Sequence, residues 1–155
     1  PLLAESNEST NGYWNYAMSH RKKLGTIHET AFRLEAMNHG LDVCPADGDY
    51  LPYDCVVDNG RRLYKIQVKG TGHRHKDKSC EYMVTTAMGA KSSKKSHYAK
   101  NAYDILACCV QHNDERLWYI IPKEKIGARL SIKFYPTPKS RGMWEKYKAA
   151  WELIC

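Results

Sequence analysis

The chain lacks any long apolar run, which argues against a membrane-spanning protein. No stretch of its 155 residues approaches the roughly 20 apolar residues that a bilayer-spanning helix needs. It also shows no apolar leader of signal-peptide length, so we expect its 6 cysteines to be reduced thiols rather than disulfides. The sequence therefore predicts a soluble cytoplasmic protein.

The usual spacings of structural zinc ligands are absent as well. The sequence contains neither a Cys-x-x-Cys pair nor a His-x-x-x-His pair. The remaining candidates are His73, His75, Cys80 and the adjacent Cys108-Cys109. Two interpretations stay open for them, a zinc site and a set of buried thiols with solvated imidazoles.

Acidic residues are outnumbered by basic ones, and this favours a polyanionic partner. Lys and Arg number 24 against 17 for Asp and Glu, which gives a formal net charge of +7. Such a surface suits nucleic acid, although excess lysine also serves solubility. The charge is therefore compatible with DNA binding without establishing it.

Apolar spacing predicts one long helix at the start of the chain. We expect a flexible stretch over 1–11 and a helix over 14–38 that ends at His39-Gly40. Its core-facing stripe is expected to consist of Leu24, Ile27, Ala31, Leu34 and Met37. Because Glu29 lies about 150° from the centre of that stripe, we expect it to face away from the core.

The rest of the chain is expected to form strands, with a helix to close it. A β-hairpin is predicted over 53–58 and 63–70, because Asn59-Gly60 is a favoured tight turn. We expect further strands over 41–44, 80–86, 104–110, 117–121 and 131–135, a short helix within 89–100 and a last helix over 142–154. The strand over 80–86 should continue the meander beside the hairpin, and Trp118, Trp144 and Trp151 should be core or interface anchors.

The polar residues with the most chemical potential lie in the hairpin. Strand side chains alternate, so Gln67 and Lys69 share one face, and cross-strand pairing can bring Asp54 to them. Mg²⁺ prefers oxygen ligands, which Asp54, the Gln67 amide and the Val68 carbonyl can supply, while Lys69 can serve a phosphate. Each residue also has a plainer interpretation, because Asp54 can be a turn residue and Gln67-Val-Lys69 an exposed strand face.

These segments together resemble a known superfamily of nucleases. Gly25-Thr-Ile-His-Glu29, Pro52-Tyr-Asp54 and Gln67-Val-Lys69 are similar to the motifs of the PD-(D/E)xK nucleases. The similarity runs from about residue 25 to residue 121 and is greatest to the small group I intron homing endonucleases that carry Gln in the third position. Holliday-junction resolvases are more distant relatives. The tail Tyr147-Lys-Ala-Ala-Trp151 is also similar to that of the small homing endonucleases.

The resemblance implies a fold, an activity and a set of site residues. The fold would be α/β, a restriction-endonuclease-like core with a mixed β-sheet flanked by helices, in one nuclease domain over 1–155. Glu29 would be the helix carboxylate, Asp54 the metal-bridging acid, Gln67 the substituted third ligand and Lys69 the catalytic lysine. The activity would be DNA endonuclease cleavage that depends on Mg²⁺ or Mn²⁺, of a homing or restriction type.

The sequence departs from the commoner motif at Gln67, where Asp or Glu usually stands. One negative charge is missing, so a one-metal arrangement is better supported than a two-metal one. A DNA-binding module that does not cleave and a Holliday-junction resolvase-like enzyme are the alternatives. Thr26 and Glu29 also fit a capping box at a helix start.

Basic segments beside the hairpin are the candidates for DNA contacts. They comprise His73, Arg74, His75, Lys76, Lys91, Lys94 and Lys95, with Lys78 and Lys100 nearby. These side chains can reach a phosphate backbone and would make binding salt-sensitive, although solvated loops explain each one singly. Cutting both strands of a duplex needs two active sites, so we expect a homodimer or a homotetramer.

Overall fold

The computed structural model describes residues 11–72, 74, 82–88, 96–137 and 142–155, with the backbone alone for 11–19. Two helices and seven strands are assigned to these residues. They are α1 (Asn11–Asn38), β1 (Asp42–Pro45), β2 (Cys55–Asp58), β3 (Leu63–Thr71), β4 (Tyr82–Thr85), β5 (Ile105–His112), β6 (Glu115–Pro122), α2 (Lys123–Ile126) and β7 (Ser131–Phe134). In the described part of the chain, no helix has the length and apolar character needed to cross a membrane.

The main sheet has five strands in the order β1-β2-β3-β5-β6. The predicted hairpin is confirmed, with β2 and β3 antiparallel and Cys55 opposite Ile66. Its turn uses Gly60 at φ 79°, and the Gly60 N–H donates to the Asp58 carboxylate at 2.8 Å. Because β3 pairs in parallel with β5 while β5 pairs antiparallel with β6, the sheet is mixed, as the family resemblance implied.

The predicted orientation of α1 is wrong, although the helix itself and its end are confirmed. Phe32 and Ala36 are fully buried against the sheet, whereas the predicted core residues Leu24, Ile27, Leu34 and Met37 are 38% to 59% exposed. The helix packs instead through a face that carries small and polar residues. Because the apolar spacing depends on large hydrophobic residues alone, it predicts that a different face of the helix is buried.

The strand after the hairpin does not join the main sheet. β4 pairs antiparallel with β7 in a separate two-stranded sheet, so the predicted meander is wrong. The reason is that the free edge of β3 is taken by β5, which pairs with it in parallel. Cys80, the predicted start of this strand, lies outside the described residues.

The main sheet has an apolar core on each face. On one face Phe32 contacts Trp118 and Trp151, and on the other Tyr119 packs against Phe134. Trp118, Trp144 and Trp151 are all more than 90% buried, which confirms that they are core anchors.

The predicted C-terminal helix is wrong, since this segment forms two 3₁₀ turns, Glu145–Tyr147 and Trp151–Leu153. Tyr147 belongs to one core and Trp151 to the other. The chain must therefore pass round the sheet edge between them, and it does so with Lys148 bridged to Tyr119 and Ala149 at φ 51°. A continuous helix would place both aromatic side chains on one side.

The short helix predicted within 89–100 is not seen where that range is described. Residues 89–95 lie outside the described part, Ser96 forms a β-bridge with Met88, and 97–99 have no regular structure. The one-turn helix α2, which follows β6 directly, was not predicted.

Candidate active site

The hairpin register brings Asp54 against the middle of β3. Asp54 immediately precedes β2, and its N–H donates to the carbonyl of Ile66 at 2.8 Å, the residue that pairs with Cys55. Its carboxylate oxygen Oδ2 accepts two hydrogen bonds, one from the Gln67 amide nitrogen at 2.5 Å and one from the Val68 N–H at 2.6 Å. Two donors on β3 therefore fix the orientation of the Asp54 carboxylate.

These contacts decide between the interpretations that the sequence left open. Gln67 is only 5% exposed, so Gln67-Val-Lys69 is not an ordinary solvent-exposed strand face. Thr26 lies in the interior of α1, where its hydroxyl donates to the Lys22 carbonyl at 3.3 Å, so the capping-box interpretation of Thr26 and Glu29 is wrong.

Glu29 and Lys69 border the same cleft as Asp54 and Gln67. The cleft has a volume of about 310 Å³. Lys69 shares the strand face of Gln67, whereas Glu29 reaches the cleft from α1, which packs on the opposite face of the sheet. Although the argument that placed Glu29 away from the core was wrong, the residue does line a cleft and is half-buried.

The cleft brings together the carboxylates of Glu29 and Asp54, both of which are partly buried. Burial raises the pKa of Glu29, and the Asp54 carboxylate raises it further, while Arg33 and Lys69 lower it. Burial also raises the pKa of Asp54, against the opposing effects of the Val68 N–H and Lys69. A cation placed between the two carboxylates would offset both penalties.

A third carboxylate, Asp49, contributes to this charge and was missed from the sequence. It lines the cleft beside Asp54, and its charge raises the pKa of both Glu29 and Asp54. The available signal was a second acid in the Asp47-Gly48-Asp49 turn, five residues before Asp54. A turn acid is too common for that signal to be used alone.

The donor set fits a hard cation that keeps part of its water shell. No group of three or more His, Cys, Asp or Glu residues within the described ranges is gathered closely enough to hold a metal. Mg²⁺ is usually held by only one or two carboxylates, with water and substrate phosphate completing the shell. Asp54 and Glu29, with the Gln67 amide and the Val68 carbonyl beside them, match that kind of site.

The predicted DNA contacts are mostly beyond what the structure describes. His73, His75, Lys76, Lys78, Lys91, Lys94 and Lys95 lie outside the described residues. Arg74 is described, and it is exposed in a β-bridge with Tyr82. Cys108 and Cys109 do not form a shared zinc site, because these buried thiols belong to the cores on opposite faces of the sheet.

Comparison with known proteins agrees with this architecture. The family model described as PD-(D/E)XK endonuclease matches residues 19–154. Among solved structures, the bacterial homing endonuclease I-Ssp6803I is similar, with 29% sequence identity and a TM-score of 0.75 over 86% of this chain and 91% of that one. No curated protein matches the chain significantly. With a family model that spans most of its length, the chain belongs to the PD-(D/E)XK endonucleases and is an endodeoxyribonuclease.

Proposed function

We propose that this nuclease is a divalent-metal-dependent DNA endonuclease that cuts both strands at a chosen sequence or DNA structure, as a homing or restriction-type enzyme does. The observation that carries the proposal is the Asp54 carboxylate, oriented by Gln67 and Val68 in a cleft shared with Glu29 and Lys69. The homing assignment is supported by the similarity to I-Ssp6803I.

The residues of the cleft divide into cation ligands and a phosphate ligand. When bound, Mg²⁺ or Mn²⁺ supplies a Lewis acid for the scissile phosphate and makes a water more acidic. Asp54 and Glu29 would hold the cation, and the Val68 carbonyl would join them. In the structure the Gln67 amide nitrogen faces Asp54, so Gln67 contributes its oxygen to a cation there only after its amide rotates.

Lys69 is the group that faces the substrate in this proposal. Its ammonium stabilises negative charge that develops on the phosphorane oxygens, or holds the attacking water in line. The proposal is supported by the charge of Lys69, which lowers the pKa of both Asp54 and Glu29, and by the cleft that all three residues line. In this proposal Asp54 and Glu29 therefore bind the cation, whereas Lys69 stabilises the charge on the phosphate.

We also propose an oligomeric state and a cytoplasmic localisation for this nuclease. Two active sites are needed to cut a duplex on both strands, so we propose a homodimer or homotetramer of single-domain protomers. Cys55, Cys108 and Cys109 carry free thiols, which suits the reducing cytoplasm. Sedimentation equilibrium tests the assembly, and a purely monomeric protein on its DNA would contradict it.

Cleavage of plasmid, linear duplex and four-way-junction DNA, each with Mg²⁺ and with EDTA, tests the substrate class. Discrete double-strand cuts in duplex DNA that require Mg²⁺ would support the proposal. Cutting confined to the junction would make the enzyme resolvase-like. Salt-sensitive binding without cutting on any substrate would make the chain a DNA-binding module that has kept only the nuclease fold.

A further inference from the structure

A second cavity adjoins the cleft and has a different character. Its volume is about 730 Å³, and it lies between the 97–104 segment, the start of β3 and α2. Its charged lining comprises four cationic side chains and two acids, namely Arg62, Lys100, Lys123, Arg129, Asp104 and Glu124. The cavity therefore carries an excess of positive charge.

Both acids of the lining already have partners. Asp104 accepts the Lys65 N–H at 2.8 Å and lies 3.6 Å from the Arg62 guanidinium, while Glu124 pairs with Lys125 at 3.9 Å. Among the described residues, no ion pair includes Lys100 or Lys123. Lys100 and Lys123, like Arg129, are thus cations of the cavity that have no carboxylate partner among the described residues.

Two lysine ammonium groups are held close together at the edge of this cavity. Lys123 donates to the Ala99 and Lys100 carbonyls, and Lys65 donates to the next carbonyl, that of Asn101, at 2.6 Å. Burial lowers the pKa of Lys123, and the charge of Lys65 lowers it further. An anion bound here would relieve the repulsion between the two ammonium groups.

The cavity and the cleft of the candidate active site share one lining residue. Tyr98 borders both spaces, and Lys65 lies 6.0 Å from the ring centroid of Tyr53, which lines the cleft. A strand that passes through the cleft can therefore extend into the cavity. Cationic grooves with aromatic side chains are typical of sites that follow a nucleic-acid backbone.

We propose that this cavity is a phosphate-binding subsite for the same DNA, at a phosphodiester that flanks the scissile one. Lys100 and Lys123 contact that phosphate, and Tyr98 packs against the strand between the two sites. The inference rests on the proposed DNA endonuclease function. It adds a contact surface that neither the motif residues nor the basic segments around 73–78 and 91–95 supply.

The salt dependence of DNA binding tests the subsite directly. Dissociation constants for mixed-sequence duplex DNA are measured in EDTA over a series of KCl concentrations, for the wild type, Lys100→Gln, Lys123→Gln and the double variant. Loss of one phosphate contact reduces the steepness of log K against log salt by about 0.9. Because Lys100 and Lys123 share one phosphate, we expect that full change in the double variant and a smaller one in each single variant. Affinity should fall equally for unrelated sequences.

Lys148→Gln is the matched control, because Lys148 is exposed and lines neither the cavity nor the cleft. It should keep the wild-type slope. Lys100 is exposed and its side chain makes no fold-stabilising contact among the described residues, so Lys100→Gln remains informative if Lys123→Gln is destabilised. Wild-type binding with all variant slopes equal to that of Lys148→Gln would overturn the subsite alone, whereas a wild type that binds no DNA would overturn the proposed function.

Discussion

Gly70→Ala is expected to impair cleavage by displacing Glu29 from Lys69. Gly70 directly follows Lys69 on β3, and His28 directly precedes Glu29 on α1. A β-carbon at Gly70 would lie 2.2 Å from the His28 Cδ2 atom and 2.4 Å from its Cγ. The two backbones that carry the catalytic candidates therefore meet where only a glycine fits.

The size of the effect follows from the overlap. Ordinary contact begins at 3.4 Å, so His28 must retreat from 2.2 Å by about 1.2 Å. Burial and Arg116 lower the pKa of His28, and its Nδ1 is buried without a hydrogen-bond partner among the described residues. Overpacking of this kind costs about 1–3 kcal/mol of stability, and a shift of about 1 Å at a catalytic group costs on the order of 100-fold in rate.

The assay is single-turnover cleavage at a temperature well below the melting point of every variant, so that unfolding does not contribute. Gly72→Ala is the control, because its β-carbon would meet Gln111 at 3.4 Å, an ordinary contact. Adding Gly70→Ala to His28→Ala should cost little, since the clash is gone. Full activity in Gly70→Ala, or an undiminished cost in the His28→Ala background, would refute the reasoning.

Three further predictions concern the cleft itself. Lys69→Ala should abolish cleavage while DNA binding in EDTA and the melting temperature stay near wild type; measurable single-turnover cutting would remove Lys69 from catalysis. The folded-state pKa of Asp54 is raised above its ordinary value of 3.8. The protonated carboxyl therefore stabilises the fold below that value, and this stabilisation is lost as pH rises through the raised pKa. At neutral pH in EDTA, Asp54→Asn should raise the free energy of unfolding by about 0.5–2 kcal/mol and with it the melting temperature, and a lower melting temperature would contradict the burial argument. Mg²⁺ should raise the melting temperature of the wild type and not that of Asp54→Asn, since only a folded state with the ligand gains binding energy; equal shifts would place the cation elsewhere.

The hairpin and its contacts could be predicted because the determining signals are local. Asn59-Gly60 fixes the turn, the turn fixes the register that pairs Cys55 with Ile66, and this register brings the Asp54 side chain to that of Gln67. Each of these steps depends only on residues within the hairpin. The positions of Glu29 and Lys69 in one cleft followed from the family resemblance rather than from periodicity.

Features set by distant partners could not be predicted in the same way. The side of α1 that is buried depends on the sheet it covers, and there His28 meets Gly70 while Leu34 stays exposed. The tail around Tyr147 and Trp151 has helical spacing, but these two residues serve cores on opposite sides of the sheet. Asp49 was missed because its relevance appears only when the turn folds over Asp54.

The measurement that tests the central claim most directly is single-turnover cleavage of duplex DNA by the wild type and Asp54→Asn over a range of Mg²⁺ concentrations. Asp54→Asn keeps an acceptor for the Val68 N–H and removes only the carboxylate charge. We predict Mg²⁺-dependent cutting by the wild type and none by Asp54→Asn at any concentration. Cutting by Asp54→Asn with the wild-type dependence on Mg²⁺ would show that the active site lies elsewhere on the protein.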